Sequence, residues 1–326
     1  MLRASLRTVG PMQAFSQFFL LSLPLFALVF VGYAVACWRY WRREYTAFAG
    51  RFVFAVALPA LLFRMMMQLA HLPPVDARLL IAFFGGCLLV FFVGRALAAS
   101  VFRLDGVSQS VFALGGVFSN NVLLGLPLAK ITLGERAVPS VALVLVFNAL
   151  SLWTLVTLSV EWSRHGSLSL RGFGRTAIGV LKNPLIIAIL LGVACSFAEV
   201  QLPQALDDVL EAVGHVAAPA ALFVLGIGLA DYGLRAGWQQ SVVVCALKLV
   251  LMPAVVWLLC ALLQLPTLET KVVVLLSSMA VGVNVYLMAA QFDRLQSTIA
   301  SSLVLSTVLA AVTTPLVMAV LTLALG

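Results

Sequence analysis

Two asparagines occupy the middle of apolar stretches, where a polar side chain has no water to bond. Asn121 is the fifteenth residue of the stretch 107–129, and Asn284, 163 residues later, is the fifteenth of 270–292. A polar group in hydrocarbon costs several kcal/mol unless it is paired. Gly282 lies two residues before Asn284 and allows the helix to unwind there. A helix that begins inside such a stretch carries about half a positive charge at its N-terminus and can hold an anion.

Four more polar residues are candidate ligands for such an anion. Ser119 and Asn120 directly precede Asn121, and Gln291 lies near the end of its stretch. Lys248 lies in the stretch 241–264, where its amine either attracts an anion or extends to the membrane surface. A single asparagine in a helix often bonds only to a neighbouring helix. Two asparagines at the same depth favour a binding site.

The sequence offers no parts for catalysis or for a metal centre. It has five cysteines with no CxxC pair, and three histidines with no ligand spacing around them. It contains no HExxH, P-loop or GxSxG motif. We therefore predict no catalytic residue, no bound metal and no cofactor. Because no carboxylate stands in the middle of an apolar stretch, nothing favours a carboxylate proton relay. Coupling to sodium or protons stays open.

The composition makes the lipid bilayer the main solvent of this chain. Of its 326 residues, 63% are hydrophobic and 10% are charged, and the mean hydropathy is +1.12. Soluble domains have about 25% charged residues. The net charge of +8 comes largely from basic residues that flank apolar runs, so it does not indicate a nucleic-acid partner.

The fold class that we predict is all-α and polytopic, with ten membrane-spanning helices. The ten apolar stretches are 15–38, 50–70, 79–99, 107–129, 138–160, 177–198, 207–230, 241–264, 270–292 and 297–324. Each is long enough for a span of about 20 residues. They divide into residues 1–160, a linker 161–176 predicted to be cytoplasmic, and residues 177–326. Since five spans are an odd number, the second half enters the membrane inverted.

The two halves share a sequence repeat that supports this division. Pro24 and Gly32 are eight residues apart, and Pro184 and Gly192 repeat this pair 160 residues later. A duplicated chain within a membrane is typical of transporters. If both termini lie outside, twelve of the lysines and arginines in or near the short connections lie on the inner side of the membrane and seven lie on the outer side. This distribution predicts that both termini lie outside.

Several motifs, in their order and spacing, make the chain similar to the auxin efflux carrier family. They are NVLLGLP from Asn121 to Pro127, Asn183-Pro184, Lys248 with Pro253, and the run from Asn284 to Gln291. The family includes plant auxin carriers and bacterial carriers of malonate and malate, and it is related in fold to bile-acid sodium symporters. The short linker resembles that of bacterial members, which implies a bacterial inner (plasma) membrane location.

The resemblance implies that helices four and nine are broken and cross beside the substrate. It places Asn120, Asn121, Gly125 and Pro127 on one side of the crossing, with Gly282 and Asn284 on the other. It also implies a scaffold of helices one, two, six and seven, a moving body made of the rest, and a homodimer through the scaffold. Family members often have proline near the second break, and residues 279–283 offer only Gly282. We therefore expect a less sharp second break.

Three functional hypotheses follow from these observations. The first is an elevator-type secondary carrier of small organic anions, such as malonate, malate or auxin-like acids. The second is a sodium-coupled symporter of the bile-acid type, with Ser119, Asn120 and Gln291 as ion ligands. The third is a membrane sensor that binds its ligand without transport.

Overall fold

The described chain is an all-α membrane protein. The computed structural model describes residues 11–38, 43–68, 75–165, 184–232 and 237–325. Within these ranges all regular elements are helices, and one isolated pair of bridged residues is the only extended pairing. In the described part of the chain, seven helices are long and apolar enough to span a membrane: Met12–Ala36, Ala47–Met67, Arg78–Ser100, Glu135–Ser163, Gln204–Ala230, Trp238–Leu262 and Gln296–Leu325.

The α-helices are numbered here in chain order. They are α1 (Pro11–Ala36), α2 (Arg43–Phe52), α3 (Leu58–Met67), α4 (Arg78–Ser100), α5 (Gly106–Gly115), α6 (Leu126–Leu133), α7 (Val138–His165), α8 (Pro184–Phe197), α9 (Gln204–Tyr232), α10 (Trp238–Ala246), α11 (Met252–Leu262), α12 (Thr267–Ser277), α13 (Val283–Phe292) and α14 (Gln296–Leu325). A short 3₁₀ turn, Glu135–Ala137, leads into α7.

Seven of the ten predicted spans coincide with the seven long helices. Of the others, 107–129 and 270–292 each consist of two short helices with an interruption between them. In the third, 177–198, the described part is α8, and residues 177–183 lie outside the described residues. Helix α7 continues to His165, so the first residues of the predicted linker are helical. The rest of that linker also lies outside the described residues.

Three of the described helical segments contain a wide π turn that ends two residues before a proline. The turns are Val53–Ala57, Asn121–Gly125 and Leu247–Leu251, and they precede Pro59, Pro127 and Pro253 respectively. Proline has no N–H to donate, and its ring collides with the carbonyl four residues earlier. That carbonyl lies inside the wide turn in all three cases. The prolines thus explain why these helices widen where they do.

Close glycine contacts join helices from the two halves of the chain. A Cβ on Gly32 of α1 would lie 2.1 Å from the carbonyl oxygen of Phe223 in α9. A Cβ on Gly192 of α8 would lie 2.6 Å from the carbonyl oxygen of Phe63 in α3. Small residues allow helix backbones in a membrane to approach this closely. Gly32 and Gly192 are 160 residues apart, and so are Phe63 and Phe223. The sequence repeat therefore corresponds to a helix contact that occurs twice.

A salt bridge adds a polar link between α3 and α9. Arg64 Nε lies 2.8 Å from Asp207 Oδ1, and its Nη2 lies 3.0 Å from Glu211 Oε2. Both carboxylates lie in the first two turns of α9, while Arg64 lies in the last turn of α3. The pair therefore fixes the ends of these helices at one face of the molecule.

Candidate functional site

The interruptions of the two broken helices cross each other as short extended segments. Residues 116–120 separate α5 from the turn that leads into α6, and residues 278–282 separate α12 from α13. Asn120 N donates to the carbonyl of Ala280 at 2.9 Å, and Gly282 N donates to that of Phe118 at 2.8 Å. Ser119 and Val281 form the antiparallel bridge between these bonds.

The expectation of a less sharp second break is wrong. Both breaks are five residues long, although residues 279–283 contain no proline. Gly282 makes the close crossing feasible, because a Cβ there would lie 2.9 Å from the Phe118 ring and 3.1 Å from the Ser119 carbonyl oxygen. Hydrogen bonds from outside the helix replace the helical ones, so a proline is not needed to end it.

Helix α14 supplies two of these replacement hydrogen bonds. Thr314 Oγ1 donates to the carbonyl of Ser278 at 3.0 Å, and Val281 N donates to Ser306 Oγ at 3.0 Å. Thr314 and Ser306 are eight residues apart, about two helical turns, and so face the same way. One face of α14 thus holds the backbone of the second break.

Lys248 supplies a third replacement bond and has a role that the sequence did not indicate. Its side chain is fully buried, and its Nζ donates to the carbonyl of Ser277, the last residue of α12. The C-terminus of a helix carries about half a negative charge, which a cation stabilises. Lys248 therefore caps α12. It does not extend to the surface, and it is not among the described residues that line the cavity between the breaks.

Replacing Thr314 by valine is expected to destabilise the protein by about 1–3 kcal/mol, because the buried carbonyl of Ser278 would lose its donor. Thr313 provides a matched control, since its buried hydroxyl has no hydrogen-bond partner. Thr313→Val should leave stability unchanged or raise it. Thermal unfolding of the purified variants in detergent measures both changes. Equal stability of the two variants would contradict the role of Thr314.

A small cavity lies at the crossing. Its volume is about 40 Å³, against roughly 300–1,000 Å³ for pockets that hold drug-sized ligands. Its lining residues are Phe54, Leu58, Phe118, Ser119, Asn120, Asn121, Val122, Leu123, Asn148, Leu185, Gly282, Val283 and Asn284. None of these described residues is charged. The polar ones come from the first break, from the helix starts that follow both breaks, and from α7, whereas Phe54, Leu58 and Leu185 form an apolar wall.

Polar atoms around this cavity are buried without a hydrogen-bond partner. They are Ser119 Oγ, Asn120 Nδ2, both amide atoms of Asn121 and Asn148 Oδ1. Each of these four residues is at most 5% exposed. Buried polar groups in folded proteins are almost always bonded, and an unpaired one requires an explanation. The backbone of the second break is bonded to its neighbours, so the unpaired side chains do not serve to hold the break. They are suited to a ligand.

Two helix N-termini face the same cavity. The wide turn that begins at Asn121 continues into α6, and α13 begins at Val283. Neither start has a side-chain cap. Uncapped N–H groups and the positive ends of two helix dipoles favour an anion at this position.

The structure places five of the nine predicted site residues around the cavity, whereas Gly125, Pro127, Lys248 and Gln291 are not among its lining residues. Ser119, Asn120, Asn121, Gly282 and Asn284 line the cavity. Gly125 lies under it, where a Cβ would be 2.8 Å from the Leu276 side chain. Pro127 lines a different crevice, and Gln291 is exposed in the last turn of α13.

Asn148 is the lining residue that the sequence analysis left out of the site. It lies in α7, buried, with its Oδ1 unpaired. The available signal was an asparagine inside the apolar stretch 138–160, which is the same signal that identified Asn121. Asn148 has no counterpart at matching depth in the other half, and so it was not distinguished from a helix-packing residue.

A larger crevice opens beside the crossing, with a volume of about 410 Å³. It lies between α1, α3 and α9 on one side and α6 with the start of α7 on the other. Pro127 and Lys130 line it from α6, and Arg64 and His215 line it from α3 and α9. The crevice and the small cavity have no lining residue in common.

Long apolar helices, two broken helices that cross, and unpaired polar groups at the crossing are the features of a membrane transport protein. The chain belongs to the family described as "Membrane transport protein", whose model matches residues 18–173 and 173–318. This confirms the resemblance to the auxin efflux carriers.

Two relatives are similar over nearly their whole length. One is described as a "Putative malonate transporter" of Rhizobium meliloti (strain 1021), 26% identical over 298 residues, which cover 90% of this chain and 92% of the relative. The other is an uncharacterized transporter of Methanocaldococcus jannaschii, 22% identical over 287 residues, which cover 86% of this chain and 91% of the relative.

Proposed function

We propose that this protein is a secondary carrier of small organic anions with a carboxylate group, which it binds in the crossing cavity. The observation that carries the proposal is the set of unpaired amide and hydroxyl groups beside two uncapped helix N-termini. A carboxylate accepts hydrogen bonds from such donors and is attracted by the dipoles. The description of the first relative, a malonate transporter, agrees with this substrate class.

The proposed architecture has ten spans in two inverted repeats, residues 1–160 and 177–326. The short helix pairs α5–α6 and α12–α13 and the helix α8 supply the three spans beyond the seven long helices. The contact that recurs at a step of 160 residues supports the duplication. In this arrangement both termini lie outside the plasma membrane. The dimer through the scaffold helices stays a prediction.

The proposed mechanism is an elevator-type movement of the crossing relative to α1, α3, α8 and α9. The crevice of about 410 Å³ lies between these two groups of helices and supports a sliding interface there. A cysteine in place of Val283, which lines the cavity, tests the movement. A membrane-impermeant thiol reagent should reach it from either face of a proteoliposome. Reaction from one face only would rule out alternating access.

Sodium coupling through Ser119, Asn120 and Gln291 is disfavoured by their positions. Gln291 lies eight residues beyond the start of α13, on the order of 12 Å along its axis, and is exposed. Ser119 and Asn120 are buried at the crossing. The three oxygens therefore cannot surround one ion in this arrangement.

Initial-rate uptake into proteoliposomes tests the proposed function. Radiolabelled malonate, malate, a monocarboxylate and an indole acid are compared with and without a sodium gradient. Saturable uptake above that of protein-free liposomes is the expected result, and it should not depend on sodium. Ligand binding without uptake would favour a sensor instead.

A further inference from the structure

We infer that the cavity accepts its carboxylate substrate in a singly charged form, so that a dicarboxylic acid enters with one of its carboxyl groups protonated. This inference rests on the proposed function and specifies its substrate. It follows from the charges that meet at the crossing.

Four helix ends meet there, and their partial charges cancel. The turn before α6 and helix α13 present N-termini, whereas α5 and α12 present C-termini. Each N-terminus contributes about half a positive charge and each C-terminus about half a negative charge. These four contributions sum to about zero.

Among the described residues, Lys248 is the one charged side chain at the crossing whose charge the helix ends do not already balance. It lies at the C-terminus of α12, bonded to Ser277. It is the only charged residue among the buried polar side chains in the described part of the chain. The crossing as a whole therefore carries at most about one net positive charge, although Lys248 itself does not line the cavity.

One positive charge balances one negative charge on a bound substrate. A dianion would bring a second negative charge into a largely buried site whose described lining residues include no cation, which is unfavourable. A singly charged acid avoids this problem.

Asn148 offers a partner for the protonated carboxyl group. Its Oδ1 is a buried acceptor with no donor, and Asn148 lines the cavity from α7, a different element from the two helix starts. A carboxylate cannot donate to this oxygen, whereas a protonated carboxyl group can. The lining thus provides amide donors for the carboxylate of a half-protonated dicarboxylic acid, and the unpaired oxygens of Asn148 and Asn121 as acceptors for its protonated carboxyl group.

The pH dependence of uptake tests the inference, with malonate and its monomethyl ester as probes. The ester carries one negative charge throughout the range in which malonate loses its second proton. At fixed total malonate concentration, uptake should fall about tenfold per pH unit above the second pKa of malonic acid, because the singly charged form falls by that factor. Uptake of the ester should stay constant, which controls for titration of the protein itself.

Malonate uptake that stays level or rises with pH, beside constant ester uptake, would overturn the inference while the carrier function stands. If neither acid is taken up, the proposed function fails and the inference fails with it. A steep fall for malonate alone is the supporting result.

A variant of Asn148 provides a second test. At a pH below the second pKa of malonic acid, Asn148→Ala should raise the KM for malonate about tenfold. The KM for the ester should change by no more than about twofold, since the ester has no second proton to donate. Thr157→Val is the matched control, a change of a buried unpaired hydroxyl elsewhere in α7, and should alter neither KM. Equal increases for both acids would show that Asn148 contacts the carboxylate common to them and would contradict this assignment.

Discussion

Replacement of Asn121 by alanine is expected to lower carboxylate uptake about 10- to 100-fold without loss of folded protein. Both amide atoms of Asn121 are buried and unpaired, so the folded state loses no internal hydrogen bond. The bound carboxylate, in contrast, loses a donor, and a hydrogen bond to a charged group contributes about 1.5–3 kcal/mol. Initial uptake rates in proteoliposomes, normalised to monodisperse protein, measure the effect.

Gln291→Ala is the control for this prediction, because Gln291 is polar and intramembrane by sequence but exposed at the far end of α13. Its uptake should match that of the unaltered protein. Undiminished uptake by Asn121→Ala would remove the assignment of the crossing cavity as the substrate site. A loss of folded protein in that variant would instead show that Asn121 supports the structure.

Replacement of Gly226 by alanine should destabilise the protein by about 3 kcal/mol or more and reduce the yield of folded protein. A Cβ at this position would lie 1.9 Å from the carbonyl oxygen of Val29 and 2.9 Å from the amide nitrogen of Tyr33. These are backbone atoms, so α1 and α9 must separate to admit a methyl group. Overpacking at rigid sites costs about 1–3 kcal/mol and occasionally more.

Gly228 is a matched control in the same helix, because a Cβ there meets no atom within 4 Å. Gly228→Ala should be neutral or slightly stabilising, since alanine favours the helix by up to about 1 kcal/mol. Size-exclusion profiles and thermal unfolding in detergent compare the two variants. If both behave alike, the close contact between α1 and α9 is not as described.

The sequence was sufficient to place the long helices and the two asparagines, and the resemblance to the auxin efflux carriers implied the crossing. Apolar length is a property of the residues in one stretch, and it located all seven long helices to within a few residues. Asn121 and Asn284 could be found because polar residues are costly in hydrocarbon wherever they occur. Their common depth could be read by counting from the ends of the stretches.

Partners across the fold could not be read in this way. The role of Lys248 depends on the carbonyl of Ser277 in another helix, and a lysine in an apolar stretch suits several roles. The sharp second break depends on Ser306 and Thr314, which are polar residues in an apolar helix, but nothing local shows which backbone groups they bond. Such side chains act through helix packing, which local composition does not determine.

Protection of a cysteine by substrate tests the central claim that the crossing cavity is the binding site. In the Val283→Cys variant the new thiol lines the cavity, while the native Cys37 is exposed outside it. Modification of each cysteine by a small maleimide is followed by mass spectrometry with and without a transported acid. The acid should slow modification at position 283 about tenfold and leave Cys37 unaffected. Equal modification at position 283 with and without saturating acid, in protein that still transports it, would contradict the claim.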